Sequence, residues 1–176
     1  MDFLFNTIRI LRFSCIMSST DFTAIDFETA TGSRSSICQI GLVRVENNVV
    51  VKTFNQLICP PSNFYSYWNV KVHGITPERT INAPKFEDVW GQIKVYFENQ
   101  TVVAHNGAFD FSCLKQVLQF YDLAEVKFEK QCTYKIFKKG LAVLCSEHSI
   151  ALNHHDALSD AMACARLYQM HMQQKQ

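Results

Sequence analysis

The sequence predicts an α/β fold in which helices flank a mixed sheet whose first strands are antiparallel. Three strand-like segments open the domain, and alternating helical and strand-like segments follow them. A length of 176 residues and a hydrophobic content of 48% suit a single domain with a sizeable core. We therefore expect one folded unit without internal repeats.

The antiparallel start of the sheet is predicted from its first three segments. Residues 23–28 form an apolar, β-favouring run. Residues 37–45 and 49–58 form two more such runs, and the turn dipeptide Asn47-Asn48 between them favours a hairpin. Pro60-Pro61 then ends the third strand.

The remainder of the chain is predicted to alternate helices with short strands. Thr76-Pro77 has the N-cap and first-turn chemistry of a short helix. A longer helix follows, because its apolar residues recur at helical spacing and predict a core stripe: Phe86, Val89, Trp90, Ile93 and Phe97. An aromatic platform for nucleotides is the alternative role of that stripe. Strand 101–104, a helix from Asp110, a short strand near 126–131 and helical segments to the C-terminus complete the prediction.

Residues 1–20 are predicted to be an extension outside the folded domain, which spans residues 21–176. Arg9 and Arg12 interrupt the apolar cluster of this extension, so it predicts neither a signal peptide nor a membrane span. Met17 directly precedes a polar leader, which favours it as the natural start of the protein. A packed or partner-binding helix is the alternative.

The composition favours a cytoplasmic protein. Seven cysteines occur without a C-x-x-C pair, which fits reduced thiols better than a disulfide framework. The net charge is only +1, which argues against tight, non-specific binding of nucleic acid over the whole surface. A local site that holds one strand end remains compatible with this charge.

Four carboxylates and one histidine lie where regular structure is predicted to begin or end: Asp26, Glu28, Asp110, His155 and Asp160. Asp26 and Glu28 are two positions apart on a strand, so they project from one face roughly 7 Å apart. Asp110 follows the strand 101–104 and the turn dipeptide Asn106-Gly107, which places it at a strand-to-helix corner.

The last two members of this set come from the C-terminal helix and the residues before it. Asp160 is predicted one turn into a helix whose small residues allow close approach to a sheet: Ala157, Ala161, Cys164 and Ala165. His155 lies five positions earlier, about 500° of helical rotation away, so we place it at the helix start or in the preceding loop. We predict that the five residues assemble into one site.

A cluster of four carboxylates is unfavourable without cations, because the carboxylates repel one another and raise each other's pKa. Oxygen ligands select Mg²⁺ or Mn²⁺ over zinc, and four negative charges call for two such ions. Two ions about 4 Å apart can stabilise the attacking and leaving oxygens of a phosphoryl displacement. A histidine with a pKa near 6.5 can take the proton of the attacking water at neutral pH.

With these motifs the chain resembles the DnaQ-like 3′-to-5′ exonucleases of the DEDD superfamily, histidine subgroup, which include the proofreading subunit of bacterial DNA polymerase III. Four segments match the family in order: Asp26 with Glu28, then His73-Gly74-Ile75-Thr76, then Asp110, then His155 with Asp160. The resemblance covers residues 21–172, and its specificity comes from the order of several separate motifs.

The resemblance implies a ribonuclease H-like architecture and release of 5′-mononucleotides from the 3′ end of DNA or RNA with two Mg²⁺ or Mn²⁺ ions. It implies a DNA polymerase subunit as a further partner, and no association with a membrane. The four acidic residues Asp26, Glu28, Asp110 and Asp160 would be metal ligands, and His155 would be the catalytic base. His154 is the alternative base.

Five more residues are predicted to contact the substrate: Phe27, Thr29, Arg34, His73 and Asn106. For Asn106, a hydrogen bond that stabilises its turn is the alternative role. A run of lysines forms either a solvated face or a rim that binds single-stranded nucleic acid: Lys127, Lys130, Lys135, Lys138 and Lys139.

Two other functions compete with the exonuclease. One is a catalytically silent module that binds nucleic acid or a polymerase, and the other is a hydrolase of a different phosphoester, such as a free dinucleotide. The intact set of four carboxylates and a histidine favours an active exonuclease. Proofreading, DNA repair and RNA end-trimming would all use this same site.

Overall fold

A mixed sheet forms the centre of the fold, which we describe from a computed structural model for residues 20–174. Its strands are β1 (Phe22–Thr29), β2 (Ile37–Glu46), β3 (Val49–Leu57), β4 (Thr101–Ala104) and β5 (Glu129–Cys132). They lie in the order β3-β2-β1-β4-β5, with the first three antiparallel and the last three parallel. The predicted sheet is confirmed. The predicted N-terminal extension, up to residue 19, lies outside the described residues.

Helices connect and cover these strands. They are α1 (Tyr67–His73), α2 (Pro77–Thr80), α3 (Phe86–Ile93), α4 (Ala108–Phe120), α5 (Thr133–Phe137), α6 (Leu141–Glu147) and α7 (Ala157–Gln173). Within residues 20–174, none of them combines the length and the apolar character that a membrane crossing requires.

The hairpin between β2 and β3 follows the sequence prediction closely. Asn47 and Asn48 both adopt left-handed conformations, with φ of 50° and 64°. Asparagine tolerates this conformation better than most residues, and two consecutive left-handed residues match the twist of a tight hairpin. The turn therefore pairs Glu46 with Val49, and after a register shift between Arg44 and Val45 the two strands keep one register from Arg44 opposite Lys52 to Gln39 opposite Leu57.

Helix α1 has no counterpart in the hydrophobic pattern, because none of its residues is buried. Its ends nevertheless obey local rules. The Ser66 hydroxyl accepts a hydrogen bond from the amide of Asn69 at the N-terminus, and Gly74 ends the helix with a φ of +69°. The capping residues Ser66 and Gly74 were the available signal for this helix.

The two faces of the sheet are covered by different helices. On β1, Ile25 and Phe27 pack into a core cluster with α3 and α4, while Phe22 and Ala24 pack against α7 on the other face. The predicted stripe of α3 belongs to the first cluster and is at most 4% exposed, so it is confirmed as core. Asp26 and Glu28 continue the alternation of Phe22 and Ala24, and therefore face α7.

Gly41 allows α7 to approach the sheet at this point. It lies on β2 directly opposite Asp26 of β1. A Cβ atom at Gly41 would overlap the backbone carbonyl of Ala157 and crowd the amide of Leu158. The absence of a side chain at position 41 therefore sets how closely the first turn of α7, and with it Asp160, lies to β1.

We expect Gly41→Ala to destabilise the protein by about 1–3 kcal/mol, because the added methyl group meets backbone that cannot rotate away. Gly91→Ala is the matched control. Gly91 lies on the exposed face of α3 with nothing within 4 Å of the new methyl group, so this change should stabilise by about 0.5–1 kcal/mol. Urea unfolding of both variants measures the difference. Equal stability of the two variants would contradict the assigned contact.

Candidate active site

Strand β1 and helix α7 bring three carboxylates together. Oxygen atoms of Asp26, Glu28 and Asp160 all lie within 4.8 Å of one another. Glu28 is 9% exposed and Asp160 is 4% exposed, while Asp26 is partly buried. Side chains alternate along a strand, so Asp26 and Glu28 lie on the same face of β1. Asp160 reaches them because α7 packs closely against β2 at Gly41.

Asp110 joins this group from the connection between β4 and α4. The helix begins at Ala108, two residues before the predicted start, so Asp110 lies in its first turn. Its Oδ1 accepts a hydrogen bond of 3.1 Å from the amide of Phe27, which ties α4 to the strand that carries the other carboxylates. The corner is made possible by Asn106, which turns the chain with a φ of 56°.

The two oxygens of Asp160 have different surroundings. Oδ2 accepts a hydrogen bond of 3.1 Å from the amide of His155 and lies 2.8 Å from Nδ1 of His154. Oδ1 is buried and has no hydrogen-bond partner among the described residues. A buried carboxylate oxygen without a partner is costly, so it points to a missing ligand.

Both histidines of the loop before α7 reach the site. His155 adopts a left-handed conformation with a φ of 69°, so it lies in the loop rather than in the helix. The rings of His154 and His155 stack with their centroids 4.0 Å apart. Nδ1 of His155 is 3.9 Å from Oε1 of Glu28, whereas His154 contacts Asp160. The structure therefore places the predicted base and its neighbour beside different carboxylates.

Gln39 positions the start of α7, and the sequence analysis did not identify it. Its amide nitrogen donates to Oδ2 of Asp156 at 3.2 Å, and its amide oxygen accepts from the backbone of Ala157 at 3.3 Å. Asp156 in turn caps α7 by accepting from the amide of Ser159. The sequence signal for this role was a polar residue, Gln39, within the largely apolar run of β2, where the structure buries it.

Burial and mutual repulsion raise the pKa values of Asp26, Glu28 and Asp110. Burial raises the pKa of Asp26 well above its usual range, and the charge of Asp110 adds to the effect. The pKa of Glu28 rises to about 8 through burial and the charge of Asp160. Burial raises the pKa of Asp110 to about 7 even though the Phe27 amide favours its charged form.

The opposite shift affects His155. Burial, followed by the neighbouring ring of His154, lowers the pKa of His155 below its ordinary value. A lowered pKa keeps the imidazole neutral at physiological pH, so a ring nitrogen keeps its lone pair. The site thus contains acidic groups that resist ionisation beside a base that resists protonation.

The residues of this site fit hard divalent cations. All four carboxylates offer oxygen ligands, which suit Mg²⁺ or Mn²⁺. The unpartnered Oδ1 of Asp160 and the crowded oxygens of Asp26 and Glu28 are groups that a cation would satisfy and neutralise.

The carboxylates lie in an open cleft of about 810 Å³. Helix α1 contributes Trp68 and Val72 to its wall, and the segment that follows β5 contributes Tyr134 and Leu141. Trp68 is 71% exposed and Tyr134 is 45% exposed. Large exposed aromatic rings beside an acidic floor are suited to a ligand that has both flat apolar and charged parts.

The five residues predicted to contact substrate all border this cleft: Phe27, Thr29, Arg34, His73 and Asn106. The guanidinium of Arg34 lies 4.5 Å from the centre of the Phe109 ring and donates to the Phe109 carbonyl at 3.2 Å. The side chain of Phe27 is only 2% exposed and packs in the core on the opposite face of β1. Phe27 therefore offers a ligand little beyond its backbone.

His73 is bound to the backbone at both ring nitrogens. The amide of Ile75 donates to Nδ1 at 3.0 Å, so Nε2 carries the proton and donates to the carbonyl oxygen of Thr29 at 3.1 Å. Asn69, which the sequence analysis did not identify, also donates to the Thr29 carbonyl at 2.7 Å. Both side chains hold α1 against the end of β1, and with it one wall of the cleft.

Comparisons with known proteins find a matching family model and a similar sequence. The family model described as exonuclease, RNase_T, matches residues 23–168. The DNA polymerase III subunit epsilon of Buchnera aphidicola subsp. Baizongia pistaciae is 27% identical over 146 residues, which cover 75% of this chain and 60% of that subunit. The chain thus spans about three fifths of that relative's length.

Solved structures share the fold. Exonuclease X in complex with 5′ overhanging duplex DNA is 25% identical, with a TM-score of 0.64 over 86% of this chain and 92% of that chain. Cell-death related nuclease 4 is 18% identical, with a TM-score of 0.72 over 88% of this chain and 64% of that chain, and shows likeness of fold alone. The implied nuclease fold is confirmed.

Without metal, we expect the protein to lose stability as pH rises from 7 to 9. The folded-state pKa of Glu28 is raised to about 8, so the stability that its protonated form provides is lost as pH passes through that value. His73, His105 and His155 have lowered pKa values and titrate below this window. The loss should be about 1–2 kcal/mol.

Urea unfolding in EDTA at pH 7, 8 and 9 measures this loss, and Mg²⁺ should restore more stability at pH 9 than at pH 7. The control is Glu28→Gln, which keeps the shape of the side chain and should make the metal-free profile shallower, since Asp26 and Asp110 also have raised pKa values and account for the slope that remains. A flat profile for the unaltered protein, or no response to Mg²⁺ or Mn²⁺ at pH 9, would contradict the electrostatic description of the site.

Proposed function

The chain belongs to the exonuclease family, and from this premise we propose that it removes nucleotides one at a time from the 3′ end of a DNA or RNA strand. The observation that supports this most strongly is the group of carboxylate oxygens from Asp26, Glu28 and Asp160 within 4.8 Å of one another. Water would attack the terminal phosphodiester, the 3′ oxygen of the preceding nucleotide would leave, and a 5′-mononucleotide would be released.

Asp26, Glu28, Asp110 and Asp160 would hold two Mg²⁺ or Mn²⁺ ions. When bound, such ions neutralise the carboxylates and stabilise the negative charge that develops on the phosphate oxygens. The four residues come from β1, α4 and α7, so the positions of these elements relative to one another set the arrangement of ligands. The hydrogen bond from the Phe27 amide holds Asp110 in orientation.

His155 would accept the proton of the attacking water at a ring nitrogen. Its lowered pKa supports this role, because the neutral ring is available at physiological pH. Its position in a loop, at a left-handed residue, lets the ring face the cleft without being fixed by the helix. His154 contacts Asp160 directly, and a cation at that carboxylate would compete with this contact.

The terminal nucleotide would lie between the acidic floor and the exposed rings of the cleft wall. Trp68 and Tyr134 offer flat apolar surfaces on which a base can stack without regard to its identity. The charge of Arg34 favours the ionised form of Asp110, and its guanidinium suits a phosphate oxygen. The epsilon-subunit relative supports a DNA polymerase subunit as a further partner.

A 5′-labelled single strand of about 15 nucleotides tests the proposed activity. We expect a ladder of shorter products that keep the label in the presence of Mg²⁺ or Mn²⁺, and no reaction in EDTA, because the carboxylates alone cannot stabilise the developing charge. A 3′-phosphate should block the reaction, and closed circular strands should survive. Gel electrophoresis over time measures all of these.

The matched control for this assay is Asp26→Asn, which removes one charge with almost no change in shape. Its rate should fall by at least about 10²-fold while its unfolding curve shows a folded protein. Rapid cutting of circular strands would identify an endonuclease instead. Undiminished turnover by Asp26→Asn would contradict the assigned metal ligands.

The roles of the two histidines can be separated by substitution. We expect His155→Ala to lose about 10²- to 10⁴-fold in kcat with little change in KM, because general-base catalysis contributes about that much. His154→Ala should keep most of its turnover. In the unaltered protein, kcat should fall in acid only at a pH below the ordinary histidine range, since burial lowers the pKa of His155. Loss of turnover in His154→Ala alone would reverse the assignment.

A further inference from the structure

We propose that three lysines beside the cleft bind the phosphodiester backbone of the substrate strand, upstream of the nucleotide that is removed. Lys115 of α4, Lys130 of β5 and Lys135 of α5 line a second cavity, of about 530 Å³, which we call the lysine cavity. The proposal rests on the exonuclease function proposed above and extends it from the strand end to the body of the strand.

The lysine cavity adjoins the cleft across a thin ridge. The ridge is formed where the amide of Gly107 donates to Sγ of Cys132 at 3.4 Å. Asn106 and Tyr134 border the cleft on one side, and Ala108 and Cys132 border the lysine cavity on the other. A strand that leaves the cleft past Tyr134 therefore reaches the lysine cavity directly.

The sequence positions of the lysines agree with an upstream location. Lys115 follows the cleft carboxylate Asp110 by five residues on α4, which is about 7.5 Å along the helix axis and away from the reaction centre. Lys135 follows Tyr134 on α5. The lysines thus lie next to the edge of the cleft. This is the position expected for groups that contact the strand upstream of its last nucleotide.

The three lysines share the lysine cavity with no acidic residue. Within residues 20–174, none of the three lysines has a carboxylate oxygen within 4.0 Å, whereas Lys139 pairs with Glu147 at 2.6 Å. Three cations that face one hollow repel one another, and a polyanion would relieve this repulsion. Glu129, next to Lys130, borders a different cavity, and Glu125 borders a third cavity together with Lys115 and Lys130.

One of the lysines is also held in place before any ligand binds. The ammonium of Lys130 lies 5.5 Å from the centre of the Phe111 ring and 5.5 Å from that of Phe128. Two such cation–π contacts restrict a side chain that is otherwise flexible, so less entropy is lost when it binds a phosphate. Lysines that only protect the edge strand β5 from pairing would need no such arrangement.

The test compares strands of two lengths in the full chain. Lys115→Gln/Lys130→Gln/Lys135→Gln should lower kcat/KM on a 15-nucleotide single strand by roughly tenfold or more through KM, while kcat/KM on a trinucleotide stays within about twofold. The slope of log affinity against log salt should become shallower by about 2, whatever the sequence of the strand. Lys130→Arg, tested alone, should keep the unaltered KM.

The matched control is Lys52→Gln/Lys85→Gln/Lys94→Gln, which removes the same charge from exposed lysines elsewhere on the chain. Its kcat/KM should stay within about twofold of that of the unaltered protein on both the 15-nucleotide strand and the trinucleotide. An equal loss of kcat/KM on the 15-nucleotide strand and the trinucleotide would overturn the proposal, and so would a loss that the control variant reproduces. So would an unchanged KM in the first triple variant, which would leave the lysines as edge protection or as a surface for another protein.

A binding measurement separates this proposal from the proposed activity. Fluorescence anisotropy of a labelled 15-nucleotide strand in EDTA at low salt requires no turnover. If the protein binds the strand and the lysine triple variant does not, the lysine cavity is supported even when no exonuclease activity is found. If the unaltered protein and the lysine triple variant bind the strand equally, the proposed role of the lysine cavity is overturned even when the exonuclease activity is confirmed.

Discussion

The close contact between α7 and Gly41 of β2 is the constraint on which the site depends. Gly41 pairs with Asp26, so the missing side chain opens space directly beside the first carboxylate. The first turn of α7 fills that space, and Asp160 then reaches Asp26 and Glu28 from the opposite element. Gln39 and Asp156 hold the same turn from the side, through hydrogen bonds of 3.2 and 3.3 Å that involve the glutamine amide.

This packing brings together groups that oppose folding. Burial and mutual repulsion raise the pKa of Glu28 and of Asp110 toward neutrality, and one oxygen of Asp160 has no partner among the described residues. The hydrophobic clusters on both faces of the sheet supply the stability that offsets these costs. Cations at these carboxylates would offset the same costs, so the proposed metal binding would be coupled to the stability of the fold.

The small net charge of +1 includes contributions of opposite sign from an acidic region and a basic region of the protein. The floor of the cleft is acidic, and the lysine cavity on the other side of the Gly107–Cys132 ridge is basic. Without cations the raised pKa values leave the floor carboxyls largely protonated at neutral pH, so the floor offers a phosphate no attraction, while the lysines attract one. If the proposed cations bind, the proposed path becomes attractive to a nucleic-acid strand along its length, and metal binding and strand binding would then reinforce each other.

Much of this arrangement could be read from the sequence, because it depends on neighbours along the chain. Alternation on β1 put Asp26 and Glu28 on one face, and helical spacing marked the stripe of α3 as core. Other features depended on contacts between distant segments. Helix α1 buries no face of its own, and its position beside the cleft comes from the bonds of Asn69 and His73 to β1. The adjacency of Lys115 to Lys130 and Lys135 arises only when α4 packs beside β5, since no local rule relates positions so far apart.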